Sequence, residues 1–422
     1  MKTTLLKVLR PAEVPALRRR PLDAATLAIA AGIVGDVEAG GEAALRRHAE
    51  RFGDVAPGDP LVLGRDRLEG ALASIAAADR EVLERTAARI RVFAEAQRAA
   101  MREITVAVPG GRAGHHVVPV ERAGCYAPGG RFPLPSSVLM TVVPARVAGV
   151  REIWVASPHP APVTLAAAAL AGADAVLAAG GAQAIAALAF GAGGVPACDI
   201  VVGPGNRWVT AAKQLVAGRA GIDMLAGPSE LVVVGDDTSD AGTIAADLLA
   251  QGEHDPDALP VLVSPSARLI AAVEEELRAQ LETLPTAEIA RCALANGFAV
   301  LVSDLDAVPA VCNRLAAEHV QLSVRDPGAL VARIDHAGAL FLGPRAAEVL
   351  GDYGAGPNHV LPTGGTARSV AGLSVLTFLR VRTWLELECG DEIMVLAEDA
   401  AHLARLEGLE AHARAAERRM QR

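Results

Sequence analysis

The chain has 422 residues, 51% of them hydrophobic and 21% charged, which is the composition of a folded globular protein with room for two or three domains. Its net charge of −9, with acidic and basic residues interspersed, argues against a nucleic-acid-binding surface, because phosphate binding needs clustered Lys and Arg. The five cysteines form no C-x-x-C pair, which fits reduced thiols and indicates that any metal would use nitrogen and oxygen ligands.

The N-terminal stretch up to Pro11 lacks the apolar core of a secretory signal. The longest weakly charged run, from Pro162 to Ala184, is interrupted by glycines and holds Asp174. We therefore expect no membrane span and a cytoplasmic location.

The first 22 residues form a lead-in rich in Pro and Arg, and helical patterns then run from Leu22 to Phe52 and from Arg67 to Met101. From Val117 onwards, short apolar runs alternate with Ala-rich helical windows, a pattern typical of parallel α/β layers. The predicted strands are 153–155, 175–177, 200–202, 231–234, 261–263, 298–302 and 340–342. The last stretch, 398–419, is predicted to be one amphipathic helix with a leucine stripe at Leu403, Leu406 and Leu409.

Glycine-rich loops follow several of these strands, at 126–130, 180–183, 203–206 and 226–229. Ligands of parallel sheets bind at the carboxyl ends of the strands, and glycine allows a backbone to approach a phosphate or a ribose closely. Ordinary tight turns would have the same composition. Gly203-Pro-Gly205 is a poor match to a dinucleotide fingerprint, because it has Pro at the middle position and Trp208 where the third glycine belongs.

Three polar clusters are candidates for a catalytic or ligand-binding site. Gln251 and His254 are three residues apart in a helical pattern, so one face could present both to a metal or a polar ligand, although Pro256 would end a helix here in any case. The adjacent Glu318 and His319 could be an acid/base pair or a helix end that enters a strand. The glycine-rich loop 351–359 carries four polar side chains, which favours a functional role.

Two observations limit the chemistry further. Glu407 and His412 are five residues apart, so on an ideal helix they differ by roughly 140° and could face one small site only by straddling it. Only three lysines are present, and Lys213 is the single internal one, which makes a Schiff-base mechanism improbable.

Several motifs in series resemble the histidinol dehydrogenase family, in matching order from about Gly124 to His412. They are Gly-Gly-Ala-Gln-Ala-Ile-Ala-Ala-Leu-Ala at 180–189, Ala-Gly-Pro-Ser-Glu at 226–230, Gln-x-Glu-His at 251–254, Glu-His at 318–319, and Gly-Asp-Tyr…Gly-x-Asn-His-Val-Leu-Pro-Thr at 351–363. The departures are Gly252, where the family more often has Ala, and a looser match over 381–389.

The resemblance implies a zinc- and NAD-dependent enzyme that oxidises L-histidinol to L-histidine through the aldehyde, with two NAD molecules, at the end of histidine biosynthesis. Carried over by motif, the ligands of one zinc ion per subunit are Gln251, His254, Asp352 and His412. The catalytic pair is Glu318 and His319. The NAD contacts are Tyr126, Gln183 and Asn206. The substrate contacts are Ser229, Gln251, His254, His319, Asp352, Glu407 and His412.

The fold that the resemblance implies is an α/β homodimer with two incomplete Rossmann-like parallel-sheet domains, one inserted in the other, and small helical terminal segments. The inserted, NAD-binding domain would cover 122–228, and the discontinuous domain with most catalytic residues would cover 23–121 and 229–373. The terminal segments would be 1–22 and 374–422, and the tail would complete the active site of the other subunit.

Three other functions remain open at this point. A related zinc-dependent dehydrogenase could oxidise another small polar alcohol such as a sulfonated diol, for which Arg131 could bind the anion. A zinc hydrolase could use Glu318 and His319 to activate water. A metal-binding protein without activity is the third, and the intact Glu318-His319 pair argues against it.

Overall fold

The computed structural model of the chain describes residues 4–17, 22–129, 132–388 and 390–420, so that Arg131 and Cys389 lie outside the described residues. The strands are β1 (Lys7–Leu9), β2 (Val62–Gly64), β3 (Ile104–Val108), β4 (Gly111–Pro119), β5 (Arg122–Tyr126), β6 (Glu152–Ala156), β7 (Ala175–Leu177), β8 (Ile200–Val202), β9 (Gly221–Ile222), β10 (Glu230–Gly235), β11 (Leu259–Ser264), β12 (Phe298–Leu301), β13 (His319–Ser323), β14 (Ala339–Leu342) and β15 (Leu379–Leu387).

The helices are α1 (Ala24–Phe52), α2 (Arg65–Ser74), α3 (Ala77–Ala100), α4 (Pro135–Ala148), α5 (Pro162–Ala171), α6 (Gly181–Phe190), α7 (Arg207–Val216), α8 (Ala241–His254), α9 (Ala267–Leu281), α10 (Ala287–Asn296), α11 (Val308–Leu315), α12 (Gly328–Val331), α13 (Glu348–Asp352), α14 (Asp391–Leu406) and α15 (Glu410–Glu417). Short 3-10 turns occur at Pro11–Glu13, Leu305–Ala307, Thr366–Arg368 and Val375–Phe378.

A first sheet has the strand order β2-β7-β6-β5-β8-β9 and is parallel except for β2, which pairs antiparallel with β7. Its central strands are apolar on both faces, because helices cover both sides. One face packs on a core shared with α2 to α5, and the other on a core shared with α1, α6 and α7. The strands predicted at 153–155, 175–177 and 200–202 all belong to this sheet.

A second sheet has the order β1-β12-β11-β10-β13-β14, and all its strands are parallel. The four remaining predicted strands lie within it, and the N-terminal strand β1 pairs at its edge, with Lys7 opposite Phe298. Apolar cores fill both faces here as well. Two parallel-sheet units therefore confirm the predicted α/β class.

Helices α1 to α3 pack on the first sheet: α1 contacts α6 and α7, α2 contacts α5, and α3 contacts α4. This differs from the domain division predicted above, which grouped 23–121 with the second sheet. The physical reason is β2, which joins the edge of the first sheet at β7 and holds the flanking helices beside it.

Three predicted helices contain breaks that the hydrophobic pattern did not show. The backbone of α1 is non-helical at Gly41, and the helix predicted over 67–101 is two helices, since Ile75 between them is extended. The single helix predicted over 398–419 is wrong: α14 ends at Leu406 and α15 begins at Glu410. Gly408 lies between them with φ of 76°, a left-handed conformation that ends a helix and suits glycine.

The C-terminal segment begins with a strand rather than a helix. Strand β15 pairs antiparallel along the whole of β4, which in turn pairs with β3, to form a third sheet. The two final helices pack on each other through Ala401, Ala404 and Ala413. The predicted leucine stripe is on the outside of this pair, and Leu406 is 72% exposed.

Helix α1 is the one helix in the described part of the chain that is long and apolar enough to cross a membrane. By itself this is weak evidence for a span, because the core helices of folded proteins pass the same test. Here α1 packs against α6 and α7 and is interrupted at Gly41.

Candidate active site

A cavity of about 1240 Å³ is lined by residues from both parallel-sheet units. The loops that follow β5, β6, β7 and β8 line one side, and the end of α8 together with Tyr353 lines the other. The three predicted cofactor contacts, Tyr126, Gln183 and Asn206, all line this cavity, and so does His254. The structure thus brings the carboxyl edge of the first sheet to face the region that holds the predicted metal ligands.

The side chains of the predicted cofactor contacts are held by the loops themselves. The hydroxyl of Tyr126 accepts a hydrogen bond from the Gly181 N–H at 3.1 Å. Burial raises the pKa of this phenol to about 12, so it remains a neutral hydroxyl. The Gln183 amide donates to Oδ2 of Asp54 at 2.8 Å, and Asn206 caps α7 by accepting from the Trp208 N–H at 3.0 Å.

Gly203, after β8, explains why this loop needs glycine. Its φ is 115°, and a Cβ here would lie 2.1 Å from the backbone oxygen of Tyr126. The peptide is held on both sides, because its N–H donates to Asp223 at 2.7 Å and its oxygen accepts from Lys213 at 2.8 Å. Lys213 and Asp223 also form a buried ion pair, so the single internal lysine fixes a loop.

Glu318 and His319 lie at the junction between α11 and β13, at the amino end of the second sheet's strands. The predicted cofactor contacts therefore lie at the carboxyl ends of the first sheet's strands, whereas this pair lies at the opposite end of its own sheet. Both are held by Glu230, the first residue of the neighbouring β10: its N–H donates to Oε2 of Glu318 at 3.1 Å, and its oxygen lies 3.2 Å from Nδ1 of His319. The parallel pairing of β10 with β13 fixes this arrangement.

Burial sets the charge of the pair. It lowers the pKa of His319 to about 3, so the imidazole is neutral at pH 7, and it raises the pKa of Glu318 well above the usual value. The nearby Asp352 reinforces that rise, whereas the side chain of Ser229 beside Glu318 opposes it. The geometry therefore provides a neutral imidazole next to a carboxyl group that holds its proton unusually tightly.

The tautomer of His319 follows from its neighbour. A carbonyl oxygen can only accept, so Nδ1 carries the hydrogen and donates to Glu230, which leaves the lone pair on Nε2. Nε2 is buried and has no hydrogen-bond partner among the described residues, and it lies 3.8 Å from Oδ1 of Asp352. This atom is placed to accept a proton.

A group of possible metal ligands lies beside this pair. One ligand atom each from His254, Glu348 and Asp352 lie within 4.8 Å of one another, and Nε2 of His254 is 3.7 Å from Oδ2 of Asp352. Gln251, one helical turn before His254, is fully buried, and neither its amide oxygen nor its amide nitrogen has a hydrogen-bond partner in the described part of the chain. An unpaired buried amide beside nitrogen and oxygen donors fits a metal ion that takes such ligands.

Glu348 is a site residue that the sequence interpretation missed. It is 4% exposed, its Oε1 lies 3.9 Å from Nδ1 of His319, and burial raises its pKa well above the usual value. Its spacing of four residues from Asp352, on one helical turn, is the signal that could have found it. Asp54 had no such signal, because its partner Gln183 is 129 residues away along the chain.

The structure does not bring Glu407 and His412 into this group. Both are exposed, Glu407 in the turn between α14 and α15 and His412 on α15. His412 is absent from the groups of side chains in the described residues that could share a metal ion.

Comparison with known proteins identifies the family to which the chain is similar. The model of the family described as histidinol dehydrogenase matches residues 17–420. The chain is 46% identical to a histidinol dehydrogenase of Pseudomonas aeruginosa over 92% of its own length and 89% of the relative. It is 51% identical to that of Thermus thermophilus over 79% of the chain and 81% of the relative. A crystal structure of the enzyme from Elizabethkingia anophelis superimposes with a TM-score of 0.93 at 30% identity, covering 100% of this chain and 99% of that one.

Proposed function

Because the chain belongs to the histidinol dehydrogenase family, a family of NAD-dependent oxidoreductases, we propose that it oxidises L-histidinol to L-histidine through L-histidinaldehyde, in two NAD-linked hydride transfers. The observation that carries the proposal is the position of Glu318 and His319. One residue of the neighbouring strand, Glu230, holds both side chains beside the group formed by His254, Glu348 and Asp352.

His319 is the proposed base for the alcohol step. Oxidation of an alcohol requires removal of the hydroxyl proton as hydride leaves the carbon, and Nε2 of a neutral imidazole can accept that proton. The hydrogen bond from Nδ1 to Glu230 keeps Nε2 in the basic tautomer and fixes the ring plane. The ring of Phe341, with its centroid 5.9 Å from that of His319, supports the imidazole from its side.

Glu318 is the proposed base for the second step. An aldehyde must be hydrated before it can give up a second hydride, so a group must take a proton from water. The raised pKa of the buried carboxyl moves it towards the range in which a carboxyl both releases and takes up a proton near neutral pH. The backbone N–H of Glu230 holds its Oε2 in place.

The metal of the site is proposed to be zinc, one ion per subunit, held by Gln251, His254, Asp352 and a His412 from a second copy of the chain. An ion bound there would supply open positions for the imidazole and amine nitrogens of histidinol, and so would orient the substrate. Glu348 is close enough to His254 and Asp352 to take part in the same site.

NAD is proposed to lie in the 1240 Å³ cavity, in contact with Tyr126, Gln183 and Asn206. All three are in loops at the carboxyl edge of the first sheet, where dinucleotides bind in open α/β folds. Their side chains are already fixed by hydrogen bonds within the protein, so little ordering remains for the cofactor to impose.

The active unit is proposed to be a homodimer in which Glu407 and His412 of each tail complete the other site, with Ser229 and Glu407 as further substrate contacts. The apolar stripe of Leu403, Leu406 and Leu409 supports this dimer. The stripe is exposed in the single chain, and exposed apolar patches of this kind mark surfaces that another chain covers. We further propose a cytoplasmic enzyme with no membrane or nucleic-acid partner.

The test is NADH formation with L-histidinol, compared with a panel of small alcohols that includes a sulfonated diol, with and without a metal chelator. Two NADH per histidinol, lost on chelation, is the expected result. Preference for another alcohol would move the assignment to a related dehydrogenase. Hydrolysis without alcohol-dependent NAD reduction would make the protein a zinc hydrolase.

A further inference from the structure

Asp54 lies in the turn after α1 and reaches across to the loop that follows β7. It is 8% exposed, and one oxygen, Oδ2, accepts from both the Gly180 N–H at 2.9 Å and the Gln183 amide nitrogen at 2.8 Å. Asp54 and Gln183 both line the cavity between the sheets. A residue that follows the first helix is thus hydrogen-bonded to one of the proposed cofactor contacts.

The carboxylate determines which end of the Gln183 amide faces the cavity. An ionised carboxylate has no hydrogen to donate, so the amide must turn its NH₂ group to Asp54. Its oxygen, Oε1, accepts no hydrogen bond within residues 22–129 and 132–388 and lies beside Gly181, another residue that lines the cavity. We propose that Asp54 is a positioning residue that presents Gln183 to NAD as a hydrogen-bond acceptor, an inference that rests on the proposed function of Gln183 as a cofactor contact.

The same contacts limit which part of NAD can meet Gln183. Gly180 and Gly181 are at the start of α6, where a phosphate would otherwise bind the free N–H groups. Here the Gly180 N–H is bonded to Asp54 and the Gly181 N–H to Tyr126. A phosphate therefore gains nothing at this position and meets a negative charge, so the partner of Gln183 is a neutral donor: a ribose hydroxyl or the carboxamide NH₂ of NAD.

The first test is the dissociation constant of NAD, measured by calorimetry for the Asp54→Leu protein without alcohol substrate. Leucine has nearly the same shape but no acceptor, so the NH₂ group of Gln183 loses its partner and Oε1 is no longer held towards the cavity. The expected result is an increase in Kd of about tenfold, the loss of one good hydrogen bond. An unchanged Kd would overturn the proposal. If the wild-type protein itself does not bind NAD, the proposed function fails instead.

A double-variant comparison separates positioning from general damage. Gln183→Met removes the acceptor and should raise Kd to a similar extent, and adding Asp54→Leu to it should change Kd little further, because the two act through one contact. Additive losses would show that Asp54 acts separately and would overturn the proposal. An unchanged Kd in Gln183→Met would do the same, whether or not Asp54→Leu folds.

Asp174→Asn is the matched control. Asp174 accepts from the Ile153 N–H at 2.8 Å in the same sheet, but does not line the cavity. It should lower the unfolding temperature and leave the Kd of NAD unchanged. The analogue 3-acetylpyridine adenine dinucleotide, which lacks the carboxamide NH₂, identifies the donor. If Asp54→Leu weakens binding of the analogue as much as binding of NAD, the donor is the ribose; if only NAD binding is weakened, the donor is the carboxamide.

Discussion

Nδ1 of His319 lies 3.2 Å from the backbone oxygen of Glu230, on the strand beside it. This single contact decides which imidazole nitrogen can act as a base, and the Glu230 N–H holds the carboxyl of Glu318 from the same peptide segment. The two steps of the proposed reaction therefore depend on one strand pairing, and changes at each residue should affect the steps differently.

Glu318→Gln should slow histidinaldehyde oxidation by about 10²- to 10³-fold and affect the first hydride transfer much less, because only the second step needs water to be activated. Glutamine keeps an oxygen that can accept from the Glu230 N–H, so the strand pairing stays intact. Separate rate measurements with histidinol and with histidinaldehyde check this. Equal losses in both would contradict the division of labour between Glu318 and His319.

His254→Ala should reduce the zinc content of the purified protein and weaken histidinol binding. A change in a direct ligand should cost at least about 100-fold in metal affinity, since even residues behind the ligands cost about 10- to 100-fold. His402→Ala, on the exposed face of α14, is the control. Metal analysis and histidinol titration are the measurements, and stoichiometric zinc with normal turnover would remove His254 from the metal site.

Asp352 should make the chelator-treated protein less stable as the pH rises. Burial raises its pKa to about 7 from a usual value of 3.8, so the folded state holds this proton more tightly than the unfolded state. The resulting stabilisation is complete below about pH 4 and is lost as the pH rises through about 7, with a total of at most about 4 kcal/mol.

Asp352→Asn removes this dependence. The difference in free energy of unfolding between wild type and Asp352→Asn, measured by urea titration from pH 4 to pH 8, should therefore change with pH in that direction. A difference that stays constant across the range would show that Asp352 is not buried as a titrating carboxyl.

Mixing two inactive variants, His319→Ala and His412→Ala, should restore part of the activity if the tails are exchanged. Random subunit exchange makes about half of the dimers mixed, and each mixed dimer has one intact site, so roughly a quarter of the sites should be active. Mass spectrometry of the mixed species confirms exchange. Mixed dimers without activity would mean that each tail serves its own subunit.

The sequence predicts seven of the twelve strands of the two parallel sheets, because strands buried on both faces, such as β10 and β11, are continuous apolar runs. It misses β5 and β13, which are also buried but contain polar or small residues. Helix breaks are predicted poorly. Gly408 ends α14 through one backbone angle, and the leucine periodicity continues across it. The pairing of β2 with β7 was also beyond prediction, because three residues carry too little pattern to specify a partner.

For the site, the sequence provides the residues within motifs and misses those that act on them from a distance. Gln251, His254, Glu318 and His319 stand in recognisable local patterns, and Glu348 has only its helical spacing from Asp352. Asp54 becomes a functional candidate only when the folded chain brings it to Gln183. The position of Glu318 and His319 at the amino end of β13 has the same origin. No local sequence pattern records at which end of a strand the site residues lie.

The pairing of β1 with β12 has a consequence for synthesis. Lys7 emerges from the ribosome first, yet its partner Phe298 follows only after the complete first sheet and its helices. At roughly 5–20 residues per second, β1 waits on the order of tens of seconds for its neighbour. During that time the first sheet, whose strands have all been synthesised, can fold while β1 is still unpaired. The second sheet is completed last.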